Sequence, residues 1–179
     1  ELKKQGQIYR WNSTRPVPFS IDQGTLGNLP EADALALVRD STAKWTNIPT
    51  SVIALEEGDR LPLDVNVGNY REYFGMDSEV QELCPENPVI FDDDGKIIDD
   101  YLGDGANSSV LGFAGIRFRD DSSREFLSAW VVINGARFSD SPDLVEAGKV
   151  ITHELGHLIG LDHSQGLPEN FSDASWGGE

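Results

Sequence analysis

Cysteine and methionine are almost absent from this chain, which has one of each among its 179 residues. The single cysteine, Cys84, excludes a disulfide within these residues and a zinc module built from several cysteines. Positive charge is also scarce, because 14 basic side chains face 31 acidic ones and the formal net charge is −17. A surface this acidic repels phosphate, so no nucleic-acid partner is expected. No apolar run approaches the roughly 18 residues that a membrane-spanning helix needs.

The rest of the composition is that of an ordinary folded domain. Hydrophobic residues make up 39% of the chain, which is enough to build a core and argues against overall disorder. The length fits one domain, so we expect residues 1–179 to form a single unit and to be monomeric. The first residue is Glu1 rather than Met, so a signal peptide could have been removed.

Apolar spacing predicts the secondary structure of the first third of the chain. Ile8–Trp11 alternates like a short strand, whereas 13–30 is rich in proline and glycine and is expected to be a loop. A helix is predicted over Glu31–Trp45, opened by the preceding proline. Strands are then predicted at Ser51–Leu55 and Leu63–Val67.

The second half contains an acidic loop, two strands and a final helix. The loop is expected at Phe91–Asp100, an irregular strand at Val110–Phe118 and a clearer strand at Leu127–Asn134. A helix should begin at Pro142, after the capping hydroxyl of Ser141. This order of elements indicates one α/β (α+β) domain with a mixed sheet.

All three histidines lie within the eleven residues at the end of that last helix. His153 and His157 are four residues apart, so their side chains share one helix face, away from the apolar stripe. Gly160 can stop the helix and turn the chain back, which lets His163 supply a third imidazole. Three imidazoles with a fourth position left for water are typical of a catalytic zinc site.

Glu154 follows the first histidine and projects about 100° further round the helix. It lies beside the metal without being needed as a ligand. A carboxylate there can accept the proton of a zinc-bound water and pass it to a leaving amine, which makes Glu154 the candidate general base.

The segment HELGHLIGLDHS, residues 153–164, resembles the extended zinc motif of the metzincin metallopeptidases, and its final serine resembles the matrixin branch. The early YRW, the helix ending at Trp45 and the strand LSAWVVIN are similar to elements of matrixin catalytic domains. The resemblance implies a zinc-dependent endopeptidase, secreted or otherwise extracytoplasmic, that acts on protein or peptide substrates. It also implies a twisted five-stranded mixed sheet with two long helices.

By the same resemblance, Gly112, Phe113 and Ala114 begin the edge strand that pairs with the substrate backbone. The family carries a methionine turn below the zinc, whereas Met76, the one methionine here, precedes the motif. We therefore expect this chain to lack the C-terminal subdomain of such a protease after about residue 170.

Two other classes of function are compatible with the sequence. The first is an inactive zinc-binding pseudo-protease, against which the presence of Glu154 argues. The second is a calcium-dependent protein-interaction module. Asp92, Asp94 and Asp99 offer oxygen ligands for calcium, and Gly95 allows a sharp turn between them.

Overall fold

The structure is a computed structural model that describes residues 3–4, 7–76, 87–139 and 143–163. The strands are β1 (Lys3–Lys4), β2 (Gln7–Ile8), β3 (Val17–Ile21), β4 (Leu55–Glu57), β5 (Pro88–Asp92), β6 (Gly112–Asp120) and β7 (Glu125–Asn134). The α-helices of these residues are α1 (Glu31–Thr46), α2 (Tyr70–Phe74), α3 (Lys96–Leu102) and α4 (Leu144–Leu158). Two short 3₁₀ helices, Ala106–Ser108 and Gly135–Phe138, complete the set.

Five of the strands form one mixed sheet in the order β4-β3-β5-β7-β6. The first four run parallel to one another, and β6 pairs antiparallel with β7 along one edge. Strands β1 and β2 pair separately. The predicted five-stranded mixed sheet with two long helices, α1 and α4, is thus confirmed.

Apolar side chains cover both faces of the sheet, because successive residues of a strand point to opposite sides. Val131 of β7 packs with the core beneath α1 and α4, whereas Val132 packs with the core beneath α2 and α3. Helix α4 therefore lies on one face of a sheet that is buried on both. No helix of the described ranges is long and apolar enough to cross a bilayer.

The segment 13–30, predicted as a loop, contains the internal strand β3. The prolines and glycines of this segment favoured a loop, but Pro18, which lies within β3, is tolerated for a geometric reason. Val17 donates its N–H towards β4, so the nitrogen of Pro18 points to the other side, towards β5. Pairing with β5 begins only at Ser20, so no ladder hydrogen bond is lost at the proline.

The predicted and observed secondary structures also differ at short elements that depend on residues far away in the chain. The prediction of a loop at Phe91–Asp100 was wrong, because this segment holds the end of β5 and most of α3. Leu63–Val67 forms no strand, and the strand predicted at Ser51–Leu55 begins only at its last residue. By contrast, the predictions at Glu31–Trp45 and Leu127–Asn134 agree with α1 and β7.

Candidate metal centre

Helix α4 carries His153 and His157, and His163 follows its C-terminal end. Local hydrogen bonds define both ends of the helix. Asp143, rather than the predicted Ser141, is the N-cap, and its carboxylate accepts from the N–H groups of Val145 and Glu146 at 2.9 and 3.1 Å. Ser141 and Pro142 lie outside the described residues. The helix is closely packed on the side that faces α1, where the Ser41 hydroxyl donates to the Gly148 carbonyl oxygen.

The predicted break at Gly160 is present. Gly160 adopts a left-handed φ of 94°, and the chain turns there. The N–H groups of Gly160 and Leu161 donate back to the carbonyl oxygens of His157 and Gly156 at 2.9 and 3.0 Å, which satisfies the last turn of the helix. This turn brings His163 back to the face that bears His153 and His157.

The Nε2 atoms of the three histidines form a triangle with all three sides at 3.1 Å. Tetrahedral coordination at 2.0–2.1 Å per nitrogen requires separations of about 3.3 Å, so one ion can reach all three atoms. His153 and His163 are exposed and His157 is half-buried, which leaves the group accessible from solvent. Within the described ranges it is the only group of three or more His, Cys, Asp or Glu residues close enough to share an ion.

Hydrogen bonding alone cannot account for this triangle. Each Nε2 atom is either a protonated donor or a bare acceptor, so among three mutually adjacent atoms at least two have the same role. The His157 Nδ1 lies 2.8 Å from the Leu161 carbonyl oxygen, which places the proton on Nδ1 and leaves the Nε2 lone pair free for an ion. Burial, followed by the neighbouring imidazoles, lowers the pKa of His153 and favours its neutral, ligating form.

Glu154 is buried, with 6% of its surface exposed, and it lines the same cleft as His153. Burial raises the pKa of its carboxyl to about 7. The side chain passes over Gly112 of β6, where a Cβ would come within 2.9 Å of the Glu154 Cγ and 3.0 Å of the Val132 carbonyl oxygen. The absence of a side chain at Gly112 thus creates the space that Glu154 occupies.

A cleft of about 480 Å³ opens beside Glu154, between α4 and the segment that leads into β6. It is lined by Ser109, Leu111, Lys149, Val150, His153 and Glu154. The predicted substrate strand, Gly112 to Ala114, begins β6 at the edge of the sheet. Within the ranges that the structure describes, no strand pairs with the outer side of β6.

The three aspartates predicted to bind calcium lie near one another, since burial and then the charges of Asp94 and Asp99 raise the pKa of Asp92. They are not among the groups of described residues whose ligand atoms all lie within 4.8 Å of one another. Asp92 is 2% exposed, and its carboxylate accepts the N–H groups of Ile97 and Ile98 in the first turn of α3. Asp94 pairs with the Lys96 ammonium. The Asp99 carboxylate accepts two hydrogen bonds from the backbone and side chain of Asn107. Each of these carboxylates therefore has a partner within the chain, and calcium binding here stays a prediction.

Sequence reasoning missed two features that support the centre. The Trp11 indole Nε1 donates to the Leu158 carbonyl oxygen at 2.8 Å, which ties the start of the chain to the end of α4. Phe126 packs against Gly160, where an added Cβ would lie 2.9 Å from the ring. Neither contact leaves a local signal in the sequence, because each joins residues far apart in the chain. Lys149, which lines the cleft, was also not predicted as a site residue. Its position one helical turn before His153 is a local signal that could have identified it.

These features together define an α/β protein with three histidines placed to hold one metal ion beside a cleft. Comparison with protein-family models, with curated proteins and with solved structures gives no match to this chain. The assignment of function therefore depends on the geometry and chemistry of the site itself.

Proposed function

We propose that the protein is a zinc-dependent endopeptidase of the metzincin type, similar to the matrixins, and that it acts outside the cytoplasm as a monomer. The observation that carries the proposal is the triangle of imidazole Nε2 atoms together with the buried Glu154, which lines the same cleft as His153. Nitrogen ligands in tetrahedral spacing suit zinc well. Three protein ligands, rather than four, are typical of zinc sites that perform catalysis.

The roles of the residues follow from their positions. When bound, zinc would polarise a peptide carbonyl and lower the pKa of a water molecule at the site. Glu154 takes the proton from the attacking water while the new carbon–oxygen bond forms. It then delivers that proton to the amine nitrogen as the carbon–nitrogen bond breaks. The exposed edge of β6 offers backbone N–H and carbonyl groups that can hold an extended peptide over the cleft.

Glu154→Gln tests the general base. The amide has nearly the same shape, but it cannot accept the proton, so we expect the rate of peptide cleavage to fall by about 10²–10⁴-fold. Zinc content should stay at one ion per chain, because Glu154 is not a ligand. The matched control is Glu146→Gln, an exposed glutamate of the same helix, which should cleave peptides at the parental rate.

Metal analysis tests the centre separately. His157→Ala removes one corner of the triangle and should abolish stoichiometric zinc binding in protein purified without chelators. Retention of zinc at parental affinity would exclude the three-histidine site. If the parent chain holds zinc but cleaves none of a broad set of peptides, the endopeptidase proposal fails and a metal-binding role remains.

A further inference from the structure

Lys149 is the one cation among the six residues that line the cleft. It lies four residues before His153, so it shares the histidine face of α4 and is about 6 Å further along the helix axis. Its side chain is exposed. Among the described residues it forms none of the observed ion pairs, which all involve other cations.

The position of Lys149 gives the cleft a charge opposite to that of the molecule as a whole. The chain carries a net charge of −17, so its overall field repels acidic ligands and gives no general reason for them to collect at the surface. Glu154 is the one carboxylate of the cleft lining, and it is buried. The accessible charge of the cleft is therefore positive, although the protein as a whole is strongly negative.

The distances allow Lys149 to contact a residue next to the reacting bond. Lys149 and His153 line the same cleft, and their Cα atoms are about 6 Å apart along the helix axis. An extended peptide advances only about 3.3 Å per residue, so this separation corresponds to about two residues of a bound substrate. A carboxylate on one of those residues would meet the ammonium group inside the cleft.

We propose that Lys149 determines specificity and that the preferred substrates carry an aspartate or glutamate directly beside the scissile bond. The inference builds on the proposed peptidase function and adds the substrate class. The ion pair is partly exposed, so the expected preference for Glu over Gln at that position is about two- to fivefold in kcat/KM. Salt should reduce this preference.

A charge reversal distinguishes recognition from a structural role. Two series of peptides are compared, in which the residue before or after the scissile bond is Glu, Gln or Lys. In the parent protein Glu should be preferred in one of the series. In Lys149→Gln the ratio should approach one, and in Lys149→Glu the lysine peptide should become the preferred one. Lys96→Glu is the control, because it makes the same change in net charge on α3, on the opposite face of the sheet, and should keep the parental ratio.

A binding measurement separates this inference from the proposed function. Zinc-loaded Glu154→Gln protein is titrated with two peptidyl hydroxamates that differ only in a Glu or Gln side chain next to the metal-binding group. Tighter binding of the Glu compound, lost in Glu154→Gln/Lys149→Gln, supports the inference even if the parent cleaves no peptide. Equal affinities together with equal cleavage of all peptides in both series would overturn it, whether or not the protein proves to be a peptidase.

Discussion

Asp22 follows the last residue of β3, and its side chain has no exposed surface. Its Oδ1 accepts the N–H groups of Gln23 and Val65 at 2.8 and 3.0 Å, and its Oδ2 accepts that of Phe91 at 3.0 Å. Burial outweighs these donors and raises the pKa of the carboxyl from 3.8 to about 7. The contribution of Asp22 to the stability of zinc-free protein should therefore fall as the pH rises towards neutrality.

The sign and size follow from proton linkage. Below pH 3.8 the carboxyl is protonated in both the folded and the unfolded state, and its contribution to stability is fully present. Between 3.8 and about 7 the folded state keeps the proton that the unfolded state releases, so the free energy of unfolding falls as pH rises. At about 1.36 kcal/mol per pH unit, the whole window is worth about 4 kcal/mol.

Urea unfolding in EDTA between pH 4.5 and 7.5 measures this effect. The parent should lose about 3 kcal/mol more than Asp22→Asn across that range. The amide leaves the Phe91 N–H without an acceptor, but this cost does not vary with pH, so only the slope is diagnostic. Asp40→Asn, an exposed position on α1, should keep the parental slope. If the parent gains stability relative to Asp22→Asn as pH rises, the three N–H donors hold the ionised form and burial is not the dominant effect.

Two further predictions concern the support of the metal centre. Gly112→Ala places a Cβ against Glu154 and should lower peptide cleavage by about 10–100-fold at unchanged zinc content. Gly148→Ala, whose Cβ would meet its neighbour at an ordinary 3.5 Å, should not lower it. Trp11→Phe removes the indole donor from the end of α4 and should weaken zinc binding about tenfold in a chelator competition. Equal weakening in Trp45→Phe, whose indole donates to the mid-helix Thr152 carbonyl oxygen, would contradict this role for Trp11.

The elements that the sequence predicted well are those with a strong local pattern. Helix α1 has helical apolar spacing and a proline before its first turn, and β7 has a run of β-branched and aromatic residues. Strands β3 and β5 were missed because both are short and buried, and their strand character comes from pairing with each other and with their outer neighbours. Helix α3 was missed because its acidic residues suggested a loop, whereas the buried Asp92 stabilises its first turn.

The candidate site likewise has features that follow from local sequence and features that depend on distant residues. Spacing alone predicted that the three histidines come together, because i, i+4 geometry and a glycine stop are local properties. The space for Glu154 depends on Gly112, which lies in a different element, and no pattern within α4 reports it. The predicted apolar stripe of α4 was also too narrow, since it contained only Leu144, Gly148, Ile151, Leu155 and Leu158. Leu144 at its start is exposed, whereas Val150 and Ala147, outside that stripe, are buried.

The wider buried surface of α4 explains why one helix can present the candidate ligands His153 and His157 on its open side and bury Glu154. The sheet covers one side of the helix, and α1 covers another, where Trp45 lies against Gly156. Only a narrow strip remains open, and His153 and His157 lie on it about 40° apart. A step of one residue turns the chain by about 100°, which takes Glu154 from this strip to the side of the sheet. The adjacent positions 153 and 154 thus differ in exposure because the helix is enclosed on both sides, and the metal ligand and the proposed base acquire their different environments from that packing.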